Sequence, residues 1–320
     1  MKAEDIQKVV VIGAGIMGEG IAQNFAQAGL FVQLVDRDEQ ILDGCLAKIA
    51  VNLGLFQDFG LLKEDPSIIK SRIEPFFTQD LAKALEGCHF IVEAIPEVLE
   101  LKRELFNQLE SLAPDAILSS NTSSLTISAI AEGLRAPERV VGLHYFNPAH
   151  IIPAVEIHRG RRTSDDVVAT TRELMVRVGK KPVLVRKEVP GFIINRLTGA
   201  MEREIDYLLD EGIVTPEDLD TAVKASYGFR LACLGPMEAE DMIGLDTAAR
   251  ASGNIFKVLS NETEPSPMLL EKVKKGELGI KAGKGWYDYS GSTREEIGDK
   301  INRRLLKQLA LFSAVEKVPD

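Results

Sequence analysis

Four histidines occur in the 320-residue chain: His89, His144, His150 and His158. Imidazole, with an ordinary pKa of about 6.5, is the side chain best suited to take and return a proton near neutrality. Composition does not choose among the four, but their neighbourhoods differ. His144 lies in Gly142-Leu143-His144-Tyr145-Phe146-Asn147-Pro148, at the expected carboxyl end of a strand, where open α/β sheets bind ligands. His89 starts a strand, at the opposite end. His150 follows in the next loop and is placed to line a substrate mouth, whereas His158 has no partner that the sequence identifies. A second constellation, Gly13-Ala14-Gly15-Ile16-Met17-Gly18, fits G-x-G-x-x-G. It follows a β-branched run and opens a helical pattern, the context in which the motif binds a dinucleotide. Gly13 permits the tight turn, Gly15 lets backbone approach the pyrophosphate, and Gly18 allows close helix–strand packing. Asp36 ends the second strand, where a carboxylate accepts from the adenosine ribose diol and repels a 2′-phosphate. NAD is therefore expected over NADP, with the adjacent Arg37 softening the preference.

The elements that must position these residues follow from periodicity. Lys8–Ile12, Phe31–Asp36, His89–Ala94, Ala116–Ser120 and Val140–His144 read as buried parallel strands. Helical patterns at Ile16–Ala28, Glu39–Gln57, Asp80–Glu86, Glu97–Leu112 and Leu125–Leu134 alternate with them. Val155–Ile157 and Val183–Val185 add strands around a helix at Asp165–Gly179. This is an α/β reading, a Rossmann-type doubly wound sheet. After Val189-Pro190-Gly191 only helical patterns remain: Phe192–Leu209, Pro216–Ala225, Glu238–Leu259, Pro267–Lys274 and Arg294–Phe312. The expected division is a cofactor-binding domain over 1–188 and an all-α substrate and dimerisation domain over 189–320.

Taken together, Gly13–Gly18, Asn121-Thr122-Ser123-Ser124, Gly142–Pro148 with Glu156, Pro190-Gly191-Phe192-Ile193-Ile194-Asn195-Arg196, Gly235-Pro236-Met237-Glu238 and Gly283-Lys284-Gly285-Trp286-Tyr287 resemble the 3-hydroxyacyl-CoA dehydrogenase family, in family order and over nearly the whole chain. The resemblance implies that His144 is the general base toward the 3-hydroxyl. Glu156 would orient and stabilise its imidazolium, as carboxylates do in other His–carboxylate pairs. Ser123 and Asn195 would hydrogen-bond the substrate oxygen. Ser123 has helix capping as a competing role, which Ser124 or Thr126 could fill instead. The resemblance also places Glu97, Lys102 and Lys281 at cofactor-contacting positions, with an exposed lysine as the alternative for the latter two. It implies L stereochemistry, a role in fatty acid metabolism, and a homodimer, for which the apolar positions Ile205, Leu208, Leu209 and Ile213 are candidates.

The resemblance weakens in one segment. The family's CoA-contacting serine and lysine, counted without gaps from Asp36, fall on Asn52 and Phe59, and Val51–Leu62 holds no lysine or arginine. Lys48 and Lys63 flank it. Ala149–Pro153 and Gly228-Phe229-Arg230 followed by Gly235-Pro236 are similar to relatives that oxidise free hydroxy acids, such as L-carnitine, L-gulonate and pyridine-carboxylate dehydrogenases. There Arg230 is a candidate for the substrate carboxylate. A short-chain 3-hydroxyacyl-CoA is placed first and a free 3-hydroxy acid second. A non-catalytic dinucleotide-binding protein is disfavoured, because Ser123, His144, Glu156 and Asn195 are all present.

The bulk properties agree with a small-molecule partner. A net charge of −10 provides no global field for nucleic acid. No apolar run is long enough to span a membrane. The three cysteines, Cys45, Cys88 and Cys233, lack metal-site or disulfide spacing and fit a reducing cytoplasm. No metal is expected.

Overall fold

The computed structural model describes residues 1–315. They fall into two compact units, Met1–Ile193 and a second beginning at Ile194. The first unit runs β1 (Lys8–Ile12), α1 (Ile16–Gln27), β2 (Phe31–Asp36), α2 (Glu39–Asp58), α3 (Pro66–Ser71), β3 (Ile73–Phe77), α4 (Leu81–Ala84), β4 (Phe90–Glu93), α5 (Leu99–Leu112), β5 (Ile117–Ser120), α6 (Ile127–Ile130), β6 (Val140–Tyr145), β7 (Ala154–His158), α7 (Asp165–Arg177) and β8 (Lys181–Val185). The strands form one sheet in the order β3-β2-β1-β4-β5-β6-β7-β8. All neighbours are parallel except β6 and β7, which are antiparallel.

Because side chains alternate across a strand, each buried strand feeds two cores. Val9 and Val11 join Ile21, Phe25, Leu53 and Met175 on one face. Val10 and Ile12 join Ile91, Phe106, Leu109 and Ile127 on the other. The two edge strands each carry a proline, Pro75 in β3 and Pro182 in β8. Val32 N donates to Arg72 O and Lys181 N to Pro153 O. Strand alternation then turns the nitrogens of Pro75 and Pro182 to the open side, where a missing N–H costs the sheet nothing.

The second unit is helical: α8 (Ile194–Asp210), α9 (Pro216–Ala225), α10 (Tyr227–Leu231), α11 (Pro236–Ile243), α12 (Leu245–Ile255), α13 (Pro267–Lys274) and α14 (Arg294–Val315). The single helix expected over Glu238–Leu259 is two, parted at Gly244, whose φ of 92° no helix accommodates. Three of these elements were not anticipated by periodicity, α3, α10 and β3; the last reads Ile-Glu-Pro-Phe-Phe, and its proline masks a strand that survives only at an edge. The compact first unit also extends past residue 188, because Phe192 is buried and Ile193 N donates to Glu156 at 3.2 Å. Among the described residues, no helix is long and apolar enough to cross a membrane.

Candidate active site

The glycine turn is built from three different constraints. Gly13 has φ of 102°, and a Cβ there would lie 2.5 Å from Ala94 O. A Cβ on Gly18 would lie 1.7 Å from Gly13 O, so only glycine lets α1 approach the turn this closely. Gly15 is the opposite case: a Cβ would meet nothing within 4 Å. It caps α1 without a side-chain hydrogen bond, so open space lies over the helix N-terminus, as a pyrophosphate requires. Asp36 at the end of β2 accepts from Ala14 N at 2.8 Å and from Arg37 N at 2.7 Å. The turn and the carboxylate are thus one rigid piece, and these residues fit a dinucleotide.

At the ends of β4 and β5 lies a charge network that the sequence did not reveal. Glu93 and Lys102 are both fully buried and paired at 2.5 Å. Glu93 also accepts from Ser120 Oγ at 2.6 Å and Ile95 N at 2.8 Å. Burial pushes its carboxyl up, and Lys102 and these hydrogen bonds pull against that. Lys102 further reaches Ile95 O and Glu97, each at 3.3 Å. Lys102 is therefore not an exposed lysine; it holds Glu97. One oxygen of Glu97 accepts from Thr122 Oγ1 at 2.5 Å and from the backbone of Ser123 and Ser124 at 2.9 Å each. Partial burial opposes the Glu97 charge, but Thr122, Lys102 and Ser124 outweigh it and hold the carboxyl down at about 2. Glu97 thereby fixes the loop carrying Ser123. Capping of α6 is done by Thr126, which accepts from Ala129 N, so Ser123 is not needed as a cap.

His144 and Glu156 are directly opposite one another on β6 and β7. His144 Nδ1 lies 2.9 Å from Glu156 Oε2, and both residues are buried. A carboxylate only accepts, so Nδ1 carries the proton and Nε2 presents its lone pair. Phe146 and Phe192 pack on the imidazole, with ring centroids 4.7 and 5.7 Å away. Asn121 Oδ1 accepts from Tyr145 N at 2.9 Å, tying the Asn121–Ser124 loop to the strand that carries His144. After β6 the chain turns through a cis Asn147–Pro148 bond. Lys180 donates to Ala149 O and Ile152 O at 2.6 and 2.7 Å, pinning that turn. His150 is held neutral within it, burial and the Lys180 charge pushing its pKa down to about 4. It packs on Phe56, 6.0 Å between centroids.

His158, without a partner in the sequence reading, is part of this cluster. Its Nε2 lies 3.4 Å from Glu156 Oε2, too poorly aligned for a hydrogen bond, and its ring stacks on Phe192 at 3.6 Å. The signal was available: His158 is two residues beyond Glu156, which on a strand means the same face. The remaining candidates belong to the helical unit. Asn195 is exposed in the first turn of α8, Arg230 is exposed in α10, and Lys281 is exposed in a short 3₁₀ turn at Ile280–Ala282.

Comparison with known proteins adds a family. Residues 8–189 match the NAD binding domain of 3-hydroxyacyl-CoA dehydrogenase, and residues 191–289 match its C-terminal domain. The chain is 34% identical over 302 residues to 5-formyl-3-hydroxy-2-methylpyridine 4-carboxylate 5-dehydrogenase of Mesorhizobium japonicum, covering 94% of this chain and 96% of that one. It is 35% identical over 289 residues to 3-hydroxybutyryl-CoA dehydrogenase of Bradyrhizobium diazoefficiens, covering 90% and 97%. A crystal structure of the pyridine-carboxylate enzyme, described as an NAD+ dependent dismutase, superposes with a TM-score of 0.88 at 33% identity, over 98% of this chain and 100% of that one. A (S)-3-hydroxybutyryl-CoA dehydrogenase from Ralstonia eutropha gives 0.70 at 33% identity, over 89% and 99%.

Proposed function

Because the chain belongs to the 3-hydroxyacyl-CoA dehydrogenase family and is an NAD-dependent oxidoreductase, we propose that it oxidises a hydroxyl-bearing carbon of a small free carboxylic acid, the substrate placed second from the sequence. The observation that carries this reading is Asn52. It occupies the position that the family resemblance reserves for a CoA contact, yet it is buried and donates to Glu19 at 2.8 Å. No cation stands in residues 51–62 to receive a phosphate. The similarity to the pyridine-carboxylate dehydrogenase over nearly the full length of both chains supports the same choice.

The glycine turn and Asp36 would hold NAD+ by its pyrophosphate and adenosine ribose, and the bound cofactor would supply the hydride acceptor. The protein's task is the proton. His144 takes it from the substrate hydroxyl at Nε2, and Glu156, held by Ile193 N on its other oxygen, balances the imidazolium charge through Nδ1–H. Ser123 and Asn195 are assigned to the substrate oxygen, Glu97, Lys102 and Lys281 to the cofactor, and Arg230 to the substrate carboxylate. General base catalysis of this kind contributes roughly 10²–10⁴-fold.

A second reading, a short-chain L-3-hydroxyacyl-CoA, is favoured by the family models and by the Bradyrhizobium relative. The test is NADH oxidation with acetoacetyl-CoA beside a panel of free keto acids and formyl-bearing pyridine carboxylic acids, each run against His144→Ala. Turnover of a free acid that vanishes in the variant, with the CoA ester inert, is expected. Efficient turnover of acetoacetyl-CoA with the free acids inert overturns the proposal in favour of the second reading.

We assign the active form as a homodimer through the helical unit. Phe229 (77% exposed), Phe256 (68%), Met242 (66%) and Leu245 (62%) are large apolar side chains of the helical unit left open to water, which a subunit contact would cover. Of the four positions suggested by periodicity, Leu209 is buried within the chain, Ile205 and Leu208 are half-buried and Ile213 is exposed. Light scattering at twice the 35.1 kDa chain mass is the expected result; the mass of one chain would refute it.

A further inference from the structure

His158 is not used in the proton transfer just described, and its position calls for a role. It is 1% exposed, and neither ring nitrogen has a hydrogen-bond partner. A buried polar side chain left in this state is uncommon. The sheet explains how it came to lie beside Glu156. His158 is directly opposite Gly142 in the β6–β7 register. A Cβ at Gly142 would lie 2.7 Å from His158 Cβ, so the glycine makes the room that the imidazole fills. Glu156 and His158 share one face of β7, and His144 faces Glu156 from β6. The result is two imidazoles around one carboxylate, on two hydrogen-bonded strands. Strands hold side chains more rigidly than loops do.

We propose that His144 Nδ1, Glu156 Oε2 and His158 Nε2 form a three-ligand site for a borderline-soft divalent cation such as Zn2+, and that occupation of this site switches the enzyme off. The three atoms lie within 4.8 Å of one another. Glu156 Oε2 is 2.9 Å from His144 Nδ1 and 3.4 Å from His158 Nε2. Tetrahedral zinc with bonds of about 2.0–2.2 Å sets its ligand atoms about 3.3 Å apart; both Glu156 distances are within about half an ångström of that, and the two imidazole nitrogens, within 4.8 Å of each other, would close toward it on binding. Two imidazoles and one carboxylate are an established zinc ligand set, with a fourth position left for water.

The switching part rests on the reading of His144 as the base. In the metal-free state His144 carries its proton on Nδ1, where it bonds Glu156. Metal binding breaks that hydrogen bond and places the cation on Nδ1. The proton relocates to Nε2, and the imidazole stays neutral. The nitrogen that would take the substrate proton then already holds one. His158 binds through Nε2 and keeps its proton on Nδ1. No oxidant or further reactant is required.

The experiment separates metal binding from catalysis. The full chain, stripped with EDTA, is titrated with Co2+ and followed by the visible absorption of four-coordinate cobalt. One Co2+ per chain, displaced by Zn2+, is expected. His158→Val should lose this signal while still binding NADH, and His158→Leu repeats the test if the valine variant does not bind NADH. Cys233→Ser, removing the one exposed thiol, should keep the signal. With a turned-over substrate, Zn2+ should inhibit reversibly by EDTA, and His158→Val should need at least about tenfold more Zn2+. Absence of a cobalt signal in the wild type, or an undiminished signal in both His158 variants, overturns the site. A signal that depends on His158 without Zn2+ inhibition retains the site and overturns its switching role. Failure of every substrate leaves the cobalt titration intact, so it counts against the reaction and not against the site.

Discussion

Replacing Glu97 by glutamine tests whether this carboxylate organises the Ser123 loop through its charge. The charge is held by Thr122, Ser123, Ser124 and Lys102. Its carboxyl falls from an ordinary 4.5 to about 2. For a fully buried group that displacement would correspond to roughly 3 kcal/mol. With 33% of the side chain in solvent, screening reduces it to about 1–2 kcal/mol. The sign follows from linkage. A carboxyl whose folded value is depressed contributes its stability in full above about pH 4.5, and loses it as pH falls toward about 2. Urea unfolding of wild type and Glu97→Gln should therefore differ by about 1–2 kcal/mol at neutral pH, and by less than half of that at about pH 3. An equal difference at both pH values would refute the assignment, because a merely steric effect of the amide does not titrate. Turnover gives a second reading: the loosened Ser123 loop should lower kcat, and loss of a carboxylate assigned to the cofactor should weaken NADH binding as well.

Lys102→Met should cost about 3–5 kcal/mol, because it strands Glu93 as an unpaired buried charge. Adding Glu93→Gln should recover much of that in the same unfolding assay, and a double variant no more stable than Lys102→Met would show that the pair is not the source. Asp36→Ala removes the carboxylate that anchors Ala14 N; the KM for NAD should rise about tenfold or more and discrimination against NADP should fall. An unchanged KM would remove Asp36 from the cofactor site.

Much of this architecture was legible because it rests on short-range pattern. The buried strands, the glycine turn and the carboxylate at the end of β2 each announce themselves within a few residues. His144 could be picked out by its strand end. What stayed hidden depends on partners distant in sequence or on a broken rule. Lys102 reads as a cofactor contact or a surface lysine, and only burial beside Glu93 shows it as a clamp for Glu97. His158 lies next to Glu156 in space because strand period is two, but its significance depends on Gly142 leaving room from another strand. Strand β3 was obscured by its own proline, and the α11–α12 break by the tolerance that helical patterns show for one glycine. Asn52 is polar in sequence and buried in fact, because Glu19 of α1 waits for it.

The prolines on the two edge strands bear on how copies of this protein can meet. An eight-stranded sheet with unprotected borders invites a ninth strand, from another copy or from an extended peptide, and repeated addition leads to fibres. Pro75 and Pro182 each withdraw a donor on the side where an incoming chain would have to bond. Growth by sheet extension is thus discouraged at both borders, and a partner that docks as a strand is unwelcome there.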